Sequence, residues 1–311
     1  MGNKSKKFST KCVHEGEIKD TMYQGIVSPL FMSTTYPWFG GDDPEKKPYP
    51  RYFNTPNQEF LSKKIASLEN GEKALIFTSG MAAISTSIMA NVKTGDHIVV
   101  QNDIYGGTRN FVLTEFDKFG IEYSFTDGLD PLNFSDQIKD NTVGIYLETP
   151  SNPLLKIVDL KSVSSIAKNN GIWTMIDNTF SSPVNQNPID HGIDIVLHSA
   201  TKYLGGHSDI SAGAVISTES RIEQILNSAK NFGGNLSDYT VWLLERSIKT
   251  LHIRVKEQTN NAKTLAKMLD ENTNISKVYY PGLDSHPSHE IAKSQMNDFG
   301  GMMSFDLNNN V

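Results

Sequence analysis

Ile193-Asp194-Ile195-Val196-Leu197-His198-Ser199-Ala200-Thr201-Lys202-Tyr203-Leu204-Gly205-Gly206-His207-Ser208-Asp209 is the stretch on which the reading of this chain turns. Ile193–His198 is a short, mostly apolar run of strand length. Ser199 and Thr201 alternate, so their hydroxyls project to one side of an extended segment. Lys202 comes next. Most lysines are surface residues, but this one follows a buried-type strand and two hydroxyl residues. At a partly buried position a lysine amine becomes a nucleophile toward carbonyls.

Outward from this point the same pattern repeats. Toward the amino terminus, strand-like runs stand at Ala74–Phe77, His97–Gln101, Ile121–Phe125, Val143–Leu147 and Ile172–Ile176; toward the carboxyl terminus one more stands at Ala212–Ser217. Helical segments separate most of them. In the clearest, Asp159 to Asn169, Asp159 can cap the helix, Leu160, Val163, Ile166 and Ala167 share a face, and Gly171 ends it. A helix-like stretch from Phe60 to Leu68 stops at Asn70-Gly71. Alternating strands and helices imply an α/β domain with a mostly parallel sheet covered on both faces. Beyond about residue 219 helical patterns dominate to Glu271; then come a polar segment with Tyr280-Pro281-Gly282, a helix, and a strand at Met302–Phe305. The expected organisation is an extended arm or surface loop over 1–60, carrying Pro29, Pro37, Pro44, Pro48, Pro50 and Pro56, a large domain over 61–250, and the start of a smaller domain over 251–311.

Composition narrows the function classes. The chain has 311 residues, more than one hydrophobic core usually serves, with 38% hydrophobic and 21% charged residues. A net charge of −6 disfavours nucleic acid as a partner. No apolar run is long enough to span a membrane. The lysine-rich Met1–Lys11 tail lacks the apolar stretch of a secretory signal, and Lys6 stands where a myristoylation pattern after Gly2 wants Ser or Thr. One cysteine, Cys12, excludes a disulfide within the chain and fits the cytoplasm. His286 and His289 have ligand-like spacing without a third ligand, and the glycosylation patterns at Asn133 and Asn235 have no secretory context, so no metal or glycan is expected.

In open α/β sheets ligands sit at the carboxyl ends of strands. Ala74–Phe77 leads into Ser79-Gly80-Met81, the opening of a helix, whose N–H groups and positive dipole end suit a phosphate. Taken alone that is also an ordinary cap; neither the dinucleotide fingerprint nor the Walker pattern occurs. Ile172–Ile176 leads into Asp177-Asn178-Thr179, where a carboxylate serves a turn or faces a ligand. With Ser199, Thr201 and Lys202 these make a set that pyridoxal phosphate needs: a lysine for its aldehyde, an acid for its pyridine nitrogen, and donors for its phosphate.

Thr78-Ser79-Gly80-Met81-Ala82, Tyr105-Gly106-Gly107-Thr108, Glu148-Thr149-Pro150-Ser151-Asn152-Pro153, Asp177-Asn178-Thr179-Phe180, Ser199-Ala200-Thr201-Lys202-Tyr203 and Gly206-His207-Ser208-Asp209 occur in that order. By these motifs the chain resembles the Cys/Met-metabolism class of pyridoxal-phosphate enzymes: cystathionine γ-synthase, cystathionine β-lyase, cystathionine γ-lyase and methionine γ-lyase. The likeness runs from about residue 9 to 306. It implies an aspartate-aminotransferase-like (fold type I) architecture, with a mostly parallel seven-stranded sheet flanked by helices and a truncated smaller α/β C-terminal domain. It also implies roles. Lys202 is the Schiff-base lysine and, with Tyr105, a catalytic residue. Asp177 pairs with the pyridine nitrogen, and Tyr105 stacks on the cofactor ring. Gly80, Met81, Ser199 and Thr201 hold the phosphate; Asn152 and Thr179 lie close to the ring. Tyr49 and Arg51 match a Tyr-x-Arg pair that reaches the cofactor of a neighbouring subunit, which makes the active unit a homodimer or homotetramer with shared sites.

The implied activity is cleavage of the carbon–sulfur bond of cystathionine or a related sulfur amino acid, through a Lys202 aldimine and a Cα carbanion. The alternatives are γ-replacement by a cystathionine γ-synthase, an aminotransferase on the same fold, or a truncated chain that binds cofactor and turns over weakly. Asn54-Thr55-Pro56 departs from the family's Asn-Pro-Thr, and Gly107 replaces the cysteine typical of methionine γ-lyases. The family's C-terminal domain, with its carboxylate-binding arginine, is expected to continue past the equivalent of Val311.

Overall fold

The computed structural model describes residues 6–37 and 47–308. The start of the Met1–Lys11 tail, Pro44 of the arm, and Val311 lie outside the described residues. The chain resolves into two compact units, one of Met1–Asn91 with Leu197–His252, the other of Val92–Val196 with Ile253–Val311.

In the first unit α1 spans Phe8–His14, a helix inside the segment expected to be extended throughout. A 3-10 turn covers Pro50–Tyr52. Helix α2 covers Pro56–Leu68. It starts four residues earlier than the periodicity suggests because Thr55 is its N-cap: the hydroxyl accepts the Gln58 N–H, the Gln58 side chain accepts the Thr55 N–H, and Pro56 supplies the first helical φ. The Asn54-Thr55-Pro56 departure is therefore a helix start. At the other end Asn70 takes the left-handed conformation (φ 57°) and the Gly71 N–H closes on the Ala66 carbonyl. Strand β1 (Lys73–Phe77) leads into α3 (Gly80–Ala90). The unit resumes with β7 (Gly213–Ser217), α8 (Glu219–Phe232) and α9 (Asp238–Ile248).

The arm is fastened to this unit by buried polar contacts. Lys64, wholly buried in α2, donates to the Cys12 and Val13 carbonyls (3.1 Å each) and lies 3.8 Å from Glu245 of α9. The Ser28 hydroxyl donates to Glu245 (3.1 Å), and the Trp242 indole N–H donates to the Ser28 carbonyl (2.9 Å). Burial holds the Lys64 ammonium below its usual range, against the pull of Glu245.

The second unit holds β2 (His97–Gln101), α4 (Gly106–Phe119), β3 (Glu122–Thr126), α5 (Leu132–Ser135), β4 (Thr142–Glu148), α6 (Leu160–Asn169), β5 (Trp173–Asp177) and α7 (Ser182–Asn185). Strand β6 (Ile195–His198) and helix α10 (Leu251–Asp270) run through the boundaries between the units. Asp159 caps α6 by accepting the Ser162 N–H at 3.1 Å, and Leu160, Val163 and Ala167 are its buried face, as the sequence implies. The carboxyl-terminal part adds β8 (Ile275–Tyr279), α11 (His289–Gln295) and β9 (Ser304–Leu307). Strand β8 falls in the segment read as merely polar.

The order of the large sheet is β1-β7-β6-β5-β4-β2-β3. Strands β2, β3, β4 and β5 pair in parallel; β1 joins antiparallel to β7. Every residue of β2, β5, β6 and β7 is buried, as strands covered on both faces must be, whereas β3 at the edge is part exposed. Strands β8 and β9 form a separate antiparallel pair over Ala262, Ala266, Val278, Tyr280 and Leu283.

Candidate active site

In the first unit the turn from β1 to α3 carries Ser79, Gly80 and Met81. The Ser79 hydroxyl caps α3 by accepting the Ala82 N–H at 3.0 Å, which leaves the helix's opening edge to Gly80 and Met81. A Cβ built on Gly80 would stand 2.8 Å from the Ser199 Cβ. Only glycine brings the start of α3 this close to Ser199, and an eleven-residue helix delivers its dipole there.

Ser199, Thr201 and Lys202 occupy the turn after β6. The turn is tied by its own backbone: Lys202 N–H to the Ser199 carbonyl (3.0 Å), Gly205 N–H to Ala200 (2.8 Å), and Gly206 N–H to Lys202 (2.7 Å). The Thr201 hydroxyl donates to the Ala212 carbonyl (3.1 Å) and accepts the Ala212 N–H (3.0 Å). His198 at the end of β6 is buried and bonded to buried Glu69 at 2.5 Å, which braces the strand directly before Ser199. Lys202 itself is exposed. Tyr49 and Arg51 are exposed too. The Arg51 guanidinium sits 5.6 Å and 5.4 Å from the Tyr49 and Tyr52 rings and donates to the Lys230 carbonyl at 2.7 Å.

In the second unit the predicted residues gather around one carboxyl group that the sequence reading did not assign a role. Glu148 ends β4, and Asp177, its register partner, ends β5. Each is 5% exposed. Glu148 accepts the backbone N–H of Tyr105 at 2.7 Å and that of Asn152. Burial, then Asp177 beside it, pushes the Glu148 carboxyl well above the usual carboxylate range, against the pull of those two N–H groups. Asp177 accepts the Thr179 N–H at 3.0 Å. Burial, then Asp177 and Glu148, likewise raises the Tyr146 phenol.

Neighbouring polar groups lock the loops. The Gln101 side chain accepts the Glu148 N–H (3.0 Å) and donates to the Asp103 carbonyl (3.1 Å), while Lys156 pairs with Asp103 at 2.6 Å. Asn178 and Gln186 exchange hydrogen bonds, and Gln186 also donates to the Thr149 carbonyl. Tyr105 caps α4 without a side-chain bond, and the residue is 47% exposed.

These residues fit pyridoxal phosphate. A dianion matches the glycine-tight start of α3 with adjacent hydroxyls. A buried carboxyl pair at adjacent strand ends matches a protonated ring nitrogen. Among the described residues no group of three or more His, Cys, Asp or Glu could hold a metal ion, and no helix is long and apolar enough to cross a membrane. His286 is buried and its imidazole pKa lies below its usual range because of that burial; His289 bonds the Pro281 carbonyl and stacks on Phe299.

Comparison with known proteins agrees with this chemistry. The family model described as Cys/Met metabolism PLP-dependent enzyme matches residues 9–311. A probable cystathionine gamma-synthase of Herpetosiphon aurantiacus is 40% identical over 301 residues, 96% of this chain and 94% of the relative. A cystathionine beta-lyase of Lactococcus lactis subsp. cremoris is 43% identical over 303 residues, 96% of this chain and 79% of the relative. The crystal structure of cystathionine gamma-lyase from Lactobacillus plantarum complexed with L-serine superposes with a TM-score of 0.93 at 38% identity, covering 98% of this chain and 80% of that one.

Proposed function

Because the chain belongs to the Cys/Met-metabolism family of pyridoxal-phosphate-dependent enzymes, we propose that it is a carbon–sulfur lyase of transsulfuration acting on cystathionine or a related sulfur amino acid. The observation that carries the reading is the 43% identity to a cystathionine beta-lyase across 96% of this chain, a span that includes every cofactor motif. A γ-synthase is the second reading, favoured by the Herpetosiphon relative.

When bound, pyridoxal phosphate supplies an electron sink for the bonding pair released at the substrate's Cα. Lys202 Nζ would hold the cofactor's aldehyde and, when free, would accept the substrate's Cα proton and return a proton to the leaving sulfur. The Asp177 carboxylate would hold the proton on the pyridine nitrogen. Gly80 and Met81 N–H groups with the Ser199 and Thr201 hydroxyls would bind the phosphate; for Thr201 this would mean exchanging the Ala212 carbonyl for a phosphate oxygen. Tyr105, Asn152 and Thr179 would hold the ring. Arg51 and Tyr49 would bind the cofactor phosphate of a neighbouring subunit, Arg51 exchanging the Lys230 carbonyl for a bidentate pair. On this reading the active unit is a homodimer or homotetramer working in the cytoplasm.

The test is a titration of the purified protein and of Lys202→Ala with pyridoxal phosphate, read by visible absorption, followed by cystathionine and assay of pyruvate, 2-oxobutanoate and free thiol. The expected result is a visible band that Lys202→Ala lacks, with thiol release. Pyruvate would identify β-cleavage and 2-oxobutanoate γ-cleavage; in a separate sample given cysteine and an O-acylated homoserine, net formation of cystathionine would favour the γ-synthase. Folded wild-type protein without a Lys202-dependent band overturns the assignment.

A further inference from the structure

Tyr105 is the predicted stacking residue, yet little in its own surroundings fixes it. The residue is 47% exposed, and it caps α4 with no side-chain bond. What holds it is its backbone N–H, 2.7 Å from Glu148 Oε2 at the end of β4. The same carboxyl group accepts the Asn152 N–H. Glu148 is in turn fixed on both sides: its own N–H is held by buried Gln101, and its register partner in the sheet is Asp177. One buried side chain thus ties together the residues predicted to stack on the cofactor ring, to flank it and to meet its nitrogen.

We infer that Glu148 is a positioning residue that sets the angle and spacing of Tyr105 and Asn152 against the cofactor ring by accepting both backbone N–H groups. This rests on the cofactor roles proposed above for Tyr105, Asn152 and Asp177. The chemistry asks for a side chain that reaches two donors at once. A carboxyl group offers two acceptor oxygens, glutamine one, and methionine of similar bulk none. The Tyr105 N–H is a part-buried donor, so losing its acceptor loosens the tie between the Tyr105 turn and the end of β4. The upward push on the Glu148 carboxyl by burial and by Asp177 agrees with a group kept there for its hydrogen bonds rather than for its charge.

The experiment compares wild type, Glu148→Met and Glu148→Gln in two arms. In the first, amide hydrogen exchange is followed in cofactor-free protein. The Tyr105 and Asn152 amides are expected to exchange about tenfold faster or more in Glu148→Met, with one of the two restored in Glu148→Gln, while amides inside β2 and β5 keep their rates. In the second, pyridoxal phosphate is added and the visible circular dichroism of the bound cofactor is recorded. The Lys202-dependent absorption band is expected to persist in both variants, with the dichroism of Glu148→Met reduced or inverted and that of Glu148→Gln intermediate. Unaltered Tyr105 and Asn152 amides in both variants overturn the inference, as does a uniform loss of protection across the sheet. If Glu148→Met does not fold, Glu148→Gln decides alone, by whether one of the two amides loses protection. Absence of the band in wild type would remove the cofactor reading, and the exchange arm would still decide whether Glu148 holds the two loops.

Discussion

A methyl group at residue 80 has nowhere to go. The Cβ of Gly80→Ala would meet the Ser199 Cβ at 2.8 Å and its Cα at 3.0 Å, so the start of α3 or the turn before Lys202 must move by several tenths of an ångström. The expected outcome is a folded protein, destabilised by about 1–3 kcal/mol, whose pyridoxal phosphate affinity falls roughly tenfold or more as the anion edge opens; absorption titration and urea unfolding would check both. Single residues also set the acid response. Burial, then Lys139, holds the His97 imidazole pKa below its usual range between Thr142 (2.8 Å) and Ser124 (3.0 Å); burial does the same for His286. Both pKa values are depressed on folding, so below 6.5 the unfolded chain takes up protons before the folded one does. Stability is complete above that pH and is lost as pH falls toward the folded values. The His97 contribution, read as the difference in urea midpoint between wild type and His97→Asn, should therefore shrink between about pH 7 and about pH 5, while the raised Glu148 carboxyl works in the opposite direction equally in both proteins. At this scale the sequence points to side chains suited to a ligand but not to those that hold backbone. Asp177 and Lys202 announce themselves by chemistry and position. Glu148 opens the motif Glu148–Pro153, but it acts on backbone N–H groups at 105 and 152, so nothing in the motif says what it holds. It ends β4 as Asp177 ends β5.

At the scale of elements, what could be read depended on whether periodicity survived. The strands of the large sheet stand within one or two residues of the apolar runs, because strands covered on both faces leave uninterrupted apolar blocks. Strand β8 left no such trace. Its pairing with β9 shifts register between Ile275 and Lys277, so Ile275 and Val278 both reach the small core although three positions apart. The start of α2 was hidden for a different reason: its first turn is held by polar side chains. Thr55 not only caps α2 but donates to Asp238 at the start of α9, whose carboxyl is buried and raised by that burial. Thr55→Ala removes the cap and leaves Asp238 without this donor. The expected loss is about 2–3 kcal/mol of stability, more than an isolated cap of about 1 kcal/mol would give. Thr55→Ser, which keeps the hydroxyl, should recover most of it in the same urea experiment.

For the whole molecule, the arm poses the sharpest question. Residues 12–28 are pinned by Lys64, Glu245 and Trp242, yet within and just beyond that stretch Tyr23 and Ile26 are 83% and 94% exposed, and Met22, Val27, Phe31 and Met32 are exposed around them. Anchoring polar contacts that lift a run of apolar side chains into water make sense for a surface that another copy covers. Tyr49 and Arg51, later in the same arm, are exposed as well. If the arm delivers Arg51 to a neighbour's phosphate, each site is built from Lys202 of one chain and Arg51 of another. Arg51→Ala and Lys202→Ala chains would then each be weak alone for different reasons. In a mixed dimer one site carries both changes and the other carries neither. Random reassociation makes half of the dimers mixed, so the mixture should regain roughly a quarter of wild-type activity. A site confined to one chain predicts no recovery at any mixing ratio. Sedimentation of the same samples separates that outcome from a failure to exchange subunits, and substituting Ile26 by a charged residue should lower both the assembly and the recovery together.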